Sequence, residues 1–351
     1  MEVRAARPGE RDEVLDLLAL WFGDREFFAR YNQNDRKFRD GLCLVARDRG
    51  QLVSTVQIFD RAIRLGGRDV PMGGIGSVFT REDYRHKGVA SELMRLSVET
   101  MAREGFDVSL LFAERLTFYN QFGWREVPRS FSVVTGAAGI PASTSVTIEV
   151  FNPAHDLDSV AAIHRWYSGR FNVTAVRDDA DWAGNLVYAG NQAEEPGAGS
   201  IEHFVLARHD GAIRAYARAT RFHGVAMVME YGYLSGAEPA MLALFKYCGE
   251  AAIGARSALP LVGDHSGASL LHVGQNAGML VTHSAHDPAL EQALKDEGAG
   301  LMRHADTNYM WRVLSPERLA KKLDVPAAAV ESHAFEIFGS PHSLFWTADR
   351  F

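Results

Sequence analysis

The order in which strands and helices recur constrains this chain more than any other feature. Residues 2–7 read as a strand, and Pro8-Gly9-Glu10 opens a helix whose apolar positions Val14, Leu17, Leu18 and Trp21 recur at helical spacing. A less regular segment, Phe27 to Gly41, leads into strands at Leu42–Arg47 and Gln51–Phe59, joined by the turn Asp48-Arg49-Gly50. A second hairpin turns at Gly66-Gly67-Arg68, and its return strand ends at Thr80. The loop Arg81–Lys87 precedes a helix from Gly88 to Glu104, with Ala90, Leu93, Met94, Ser97 and Met101 on one face. Val108–Phe112 is the apolar run of a buried strand, Arg115–Phe122 a short helix, and a last strand begins at Trp124.

Past Gly136–Ser143, which has a linker's composition, the pattern restarts. Val146–Val150 is a strand and Leu157–Tyr167 an amphipathic helix. His203–Arg208 and Ala212–Arg221 pair across Asp210-Gly211, Val225–Leu234 returns, and Ala237–Ile253 is a helix. A strand at Ala258–Val262 and a helix at Ala268–Ala277 follow, and Gly190–Gly199 reads as a surface loop. The halves share an order of elements but little residue identity, which predicts a duplicated unit. The expectation is an α/β (α+β) fold with two tandem domains, 1–136 and 146–312, joined by a linker at 137–145. Each holds a mixed, mostly antiparallel sheet flanked by helices. A tail at 313–351 carries one helix, Pro316–Leu323, and ends on Phe345, Trp346 and Phe351.

Bulk properties narrow the function. The 44 acidic and 37 basic residues give a net charge of −7, against a nucleic-acid or anionic-membrane partner and compatible with a cationic one. Cys43 and Cys248 sit in apolar settings and fit buried thiols in a reducing compartment. The start Met1-Glu2-Val3-Arg4 lacks a signal peptide's pattern, and no apolar run approaches the roughly 20 residues of a membrane span. The expectation is a cytoplasmic protein; a homo-oligomer stays open.

The run Arg85-His86-Lys87-Gly88-Val89-Ala90-Ser91 carries the chemistry. A helix N-terminus leaves backbone N–H groups unpaired and partly positive, which suits a pyrophosphate. Gly88 and Ala90 are small enough for phosphate oxygens to reach the backbone, and Arg85 and Lys87 add charge. Cations there oppose the helix dipole, which argues against a plain surface helix.

The run follows Ile75-Gly76-Ser77-Val78-Phe79-Thr80 and precedes Phe118-Tyr119-Asn120-Gln121-Phe122-Gly123-Trp124. Together these resemble the GNAT superfamily of acyltransferases, with its Arg/Gln-x-x-Gly-x-Gly/Ala loop and later Phe-Tyr-x-x-x-Gly-Phe segment, over residues 1–135. The resemblance implies acetyl-CoA as cosubstrate, with no metal. Val78, Phe79 and Thr80 would hold the pantetheine arm between splayed strands, and Arg85 to Ser91 the pyrophosphate. Asn120 would join the cofactor site, and Tyr119 would protonate the leaving thiolate. A core aromatic beside Phe118 and Phe122 is the alternative reading of Tyr119.

In the second half, Tyr231–Ala240 holds no Arg or Lys, and Glu238 would repel a phosphate. An active first half and a cofactor-free second half resemble the enhanced intracellular survival family of acetyltransferases. In that family the terminal carboxylate, here on Phe351, acts as general base. The chain departs from it in its short tail and in Trp124, where a catalytic tyrosine is frequent. The implied acceptor is a primary amine, on a small molecule or on an exposed peptide lysine. A thiol-cofactor-biosynthesis acyltransferase and a non-catalytic CoA- or ligand-binding regulator are the alternatives. Phe27, Phe28 and Tyr31 would line the acceptor pocket or pack their helix. His283 and His286 lack partners for a convincing metal set, and Asp264-His265-Ser266 resembles a triad in letters alone.

Overall fold

The computed structural model of the chain describes residues 1–22, 25–113, 115–191, 203–222, 225–253, 280–306 and 308–349. Two seven-stranded sheets, mostly antiparallel and flanked by helices, bear out the expected fold class. The first half contributes β1 (Glu2–Ala5), α1 (Arg11–Phe22), α2 (Arg25–Asn34), β2 (Cys43–Asp48), β3 (Gln51–Leu65) and β4 (Arg68–Thr80). It continues with α3 (Val89–Glu104), β5 (Val108–Phe112), α4 (Leu116–Asn120), β6 (Arg125–Glu126) and β7 (Arg129–Thr135). Two details depart from the sequence reading. Arg25–Asn34 is helical where an irregular segment was expected, and β3 runs on past Phe59 to Leu65.

The second half begins with β8 (Val146–Val150), α5 (Pro153–Ser168), α6 (Asp179–Asn191), β9 (His203–His209) and β10 (Ala212–Phe222). Then come β11 (Val225–Tyr233), α7 (Glu238–Ile253), β12 (Leu280–His283), α8 (Pro288–Asp296), β13 (Gly300–Asp306) and β14 (Tyr309–Val313). The tail holds α9 (Pro316–Leu323) and also α10 (Val330–Phe338), where one helix was expected. The segments expected at Ala258–Val262, Ala268–Ala277 and Gly190–Gly199 lie wholly or mostly outside the described residues.

Sheet membership does not follow the division drawn from the sequence. The first sheet runs β1-β2-β3-β4-β5-β14-β6, the second β13-β7-β12-β11-β10-β9-β8. Each half thus lends the other one strand. β14 lies between β5 and β6, with Tyr309 opposite Phe112 and Trp311 opposite both Leu110 and Arg125. β7 lies between β12 and β13, with Val133 opposite both Val281 and Met302. Both loaned strands carry fully buried side chains, Met310 and Trp311 in one and Phe131, Val133 and Val134 in the other. Trp311 stacks on Phe338 of α10 at 4.3 Å, so the tail helices cover the sheet that β14 completes.

The parallel β4–β5 pair needs a crossover, and α3 supplies it. Val89, Leu93, Met94, Ser97, Thr100 and Met101 form its buried face. The helix approaches so closely that a Cβ on Gly73 of β4 would overlap Met101 Sδ. α1 and α2 cover the opposite face at the β2–β3 edge, through Leu15, Leu18 and Phe28 against Val45 and Phe79.

Residues 1–136 expressed alone would leave β5 and β6 without the strand between them, and the apolar face of β7 without its sheet. We expect this fragment to yield no soluble folded monomer, and Trp311→Ala to cost about 3–5 kcal/mol in the full chain. Urea titration followed by fluorescence and circular dichroism should show one shared transition. Two separated transitions, or an independently folded fragment, would contradict the exchange.

Candidate functional site

The site begins where the β4–β5 ladder stops. Pairing runs from Met72–Val108 to Ile75–Leu111, yet β4 continues to Thr80. Opposite β3 the register shifts between Gln57–Gly76 and Thr55–Phe79, so β4 carries an extra residue, and Ser77 takes a φ of 49°. Such a bulge bends the strand and turns backbone groups away from the ladder. The side of β4 toward β3 is secured, since Ser54 Oγ lies 2.7 Å from both the Phe79 carbonyl oxygen and Thr80 Oγ1. From Gly76 to Thr80 the side of β4 toward β5 has no ladder partner, as in a V whose arms have parted.

At the end of this arm a 3₁₀ turn at Glu82–Tyr84 leads into Arg85-His86-Lys87-Gly88, all exposed. His86 and Gly88 adopt left-handed φ values of 61° and 80°. Gly88 is the N-cap of α3 and has nothing within 4 Å of where a Cβ would stand, so its backbone is approachable. The N–H groups of Val89, Ala90 and Ser91 lie in the first turn, where an α-helix supplies no acceptor. Arg85 Nε reaches back to the Thr80 carbonyl at 3.4 Å, and Lys87 Nζ sits 4.9 Å from the Tyr84 ring centre. The residues expected to hold pantetheine and pyrophosphate are therefore continuous along one edge, from Val78 to Ser91.

Tyr119 on α4 is half-buried, packs edge-on against Phe118 at 5.0 Å, and borders the same apolar cluster as Val78. Burial pushes its phenol up to about 12, against a weaker opposite pull from Arg115. The hydroxyl is therefore protonated at neutral pH and able to donate. Asn120, with its amide nitrogen turned toward two carbonyls, donates to Trp124 (3.0 Å) and Leu116 (3.3 Å), tying α4 to the chain that follows. Trp124 is fully buried beneath Arg312, whose guanidinium lies 5.3 Å from its ring, and serves the core. Phe351 lies outside the described residues, as do Asp264-His265-Ser266 and the side chains of Phe27 and Tyr31; Phe28 is buried with α1.

The second sheet repeats the V. β11 pairs with β12 at Met227–Val281 and Val228–Thr282, then continues to Tyr233. The tail fills this one. Trp346 is fully buried, edge-on to Tyr231 at 4.9 Å, and donates from Nε1 to Ser168 Oγ at 3.2 Å. Thr347 Oγ1 meets His283 Nδ1 at 2.9 Å, whereas His286 pairs with Glu291, so the two histidines do not converge. Tyr233 and Tyr167 both donate to Asp287 Oδ2, at 2.7 and 2.9 Å. The helix that follows, α7, has Glu238 in its first turn.

Beside this plug lies a buried charge cluster that sequence reasoning missed. Arg177 bonds Glu230 through both terminal nitrogens and Asp349 through Nε at 2.8 Å, and Tyr216 donates to Glu230 at 2.7 Å. Donor atoms of His164, Glu230 and Asp349 lie within 4.8 Å of one another, a spacing compatible with a metal, but the Arg177 cation already bridges both carboxylates. Burial, with Arg177 nearby, pushes the His164 imidazole down to about 3. Burial alone would raise Glu230, but Arg177 and its neighbours outweigh it and hold the carboxyl at about 2. Burial, with the Glu230 carboxylate beside it, moves Asp349 upward against the pull of Arg177.

Residues 2–127 match the family profile described as an acetyltransferase (GNAT) domain. An uncharacterised N-acetyltransferase of Streptomyces coelicolor is 26% identical over 236 residues, covering 62% of this chain and 55% of that protein. The chain thus spans about half the length of the curated relatives it matches. Among solved structures, a GCN5-related N-acetyltransferase from Anabaena variabilis superposes with a TM-score of 0.65 at 15% identity, covering 92% of this chain and 74% of the other. Eis1 from Mycobacterium abscessus gives 0.60 at 14% identity, with 92% and 75% covered. These likenesses establish the tandem GNAT fold.

Two outcomes are expected. Gly88→Val puts a branched side chain where φ is 80° and where a phosphate would approach. It should weaken CoA binding tenfold or more in a thermal-shift titration; unchanged affinity would remove the loop from the site. Second, His164 titrates near 6.5 unfolded and about 3 folded, so its stabilisation is complete above 6.5 and lost as pH falls toward 3. Glu230 adds the same sign below 4.5. The unfolding free energy from urea titration should drop between pH 6.5 and 4.5, by at most about 1.4 kcal/mol per pH unit for one group, and less steeply in His164→Gln. Equal slopes in both proteins would contradict the assignment.

Proposed function

We propose that this chain, whose residues 2–127 form a GNAT acetyltransferase domain, transfers acetyl groups from acetyl-CoA to primary amines. One observation carries the reading. The bulged, unladdered arm of β4 runs directly into a basic helix N-terminus with left-handed residues at His86 and Gly88. The β4 arm matches a pantetheine chain and the α3 N-terminus a pyrophosphate.

With acetyl-CoA along β4, the thioester would lie in the V and a neutral amine would attack its carbonyl carbon. The C–N bond forms, the carbonyl oxygen takes the electron pair, and backbone N–H groups of the bulged strand stabilise it. Collapse breaks the C–S bond, and Tyr119, kept protonated by burial, gives its proton to the departing thiolate. The amine's surplus proton goes to a base, a role we assign to the terminal carboxylate on Phe351. We assign acceptor entry to the face of the sheet opposite α3, at the cavity lined by Arg36 after α2, Arg61 and Ala62 of β3, and Asp349 of the tail. A primary amine on a small molecule or an exposed lysine fits this chemistry. Among the described residues no helix is long and apolar enough to cross a membrane.

The test is thiol release from acetyl-CoA against a panel of amines, run beside a CoA thermal-shift titration. We expect both signals, and Tyr119→Phe should lower kcat by about 10²–10⁴ at unchanged CoA affinity, the range of a lost general acid. Stabilisation by CoA without thiol release from any amine would favour a binding protein instead.

A further inference from the structure

The tail grips both units at once. Phe345 packs on the first sheet, 6.1 Å from Phe112 at the end of β5 and 6.5 Å from Tyr309 of β14. Its neighbour Trp346 is buried in the second, against Tyr231 and Ser168. Extended chain sends successive side chains to opposite sides, so a dipeptide suffices for this. The 3₁₀ turn Thr347–Asp349 follows, closed by the Asp349 N–H on the Trp346 carbonyl at 3.0 Å. Ala348 and Asp349 then line a cavity shared by Asp35 and Arg61 of the first unit and Arg177 and Asp181 of the second.

Apolar packing of Phe345 and Trp346 is enough to hold such a tail. A buried cluster of Arg177, Glu230 and Asp349 is a costly addition, because well-packed apolar groups of the same volume stabilise as well or better. What charge-assisted hydrogen bonds add is direction. Glu230 takes both terminal nitrogens of Arg177, and Asp349 Oδ1 sits 2.8 Å from both Nε and the Nη2 it shares with Glu230.

We infer that Arg177 is a positioning residue, which through Asp349 sets the last turn of the chain as one wall of the acceptor pocket. The inference rests on the transferase reading and on amine entry opposite α3.

The test uses the full chain with Asp349→Ala and Asp349→Asn, because replacing Arg177 would strand Glu230 charged in the core. Asp349→Ala should lower kcat/KM for the amine tenfold or more while KM for acetyl-CoA stays within twofold. Asp349→Asn keeps an oxygen for Arg177 Nε and should recover most of the loss. Carboxypeptidase trimming of the chain end, which needs no activity, should quicken in Asp349→Ala and little in Asp349→Asn. Unaltered kcat/KM in Asp349→Ala with only a lower melting temperature, or equal trimming in all three proteins, would overturn the positioning role. Lack of thiol release by the unaltered protein would instead sink the transferase reading, and the trimming rates would still judge the tail.

Discussion

Every feature proposed for acetyl-CoA binding in the first unit depends on the β4–β5 ladder ending at Ile75 and Leu111. A parallel pair that continued would bury the inner edge of β4 in hydrogen bonds and leave nothing for a ligand to take up. Because β3 grips the other edge through a bulge, β4 stays in place after its partner leaves. The α3 crossover then returns a helix N-terminus to the end of the same strand, so an unladdered strand arm and a basic helix start come from one βα connection.

The second sheet repeats this geometry and treats it differently. Its V is filled by Trp346 and bridged by Tyr233 to Asp287, and its helix opens with Glu238 rather than a basic run. The molecule thus holds two similar frames, one ending in a basic helix start, the other packed with the chain's own tail. The exchange of β7 and β14 ties the two together, because neither sheet is complete without a strand from the other half.

The loop proposed for the cofactor was legible as a basic helix N-terminus because its pattern is local. Arg85, Lys87 and Gly88 lie within one loop, and their meaning needs only the helix that follows. The strand exchange was not legible: Phe131, Val133 and Val134 bury equally well in either sheet, and alternation does not say which edge a strand joins. Trp124 could be excluded as a proton donor from its chemistry, but that β14 buries it required the fold. Arg177, Glu230 and Asp349 had no signal at all, being far apart in sequence and paired only by the tail's path. The aromatic ending gave the one hint, since Phe345 and Trp346 had to bury somewhere, and they bury in different units.

The central claim is that acetyl-CoA lies along β4 and the N-terminus of α3, with the second V closed to it. Hydrogen exchange with and without acetyl-CoA tests this most directly. The account predicts new protection at Val78–Thr80 and at Val89–Ser91, with Glu230–Tyr233 and the start of α7 unchanged. Protection at the second junction, or none at Val89–Ser91, would contradict it.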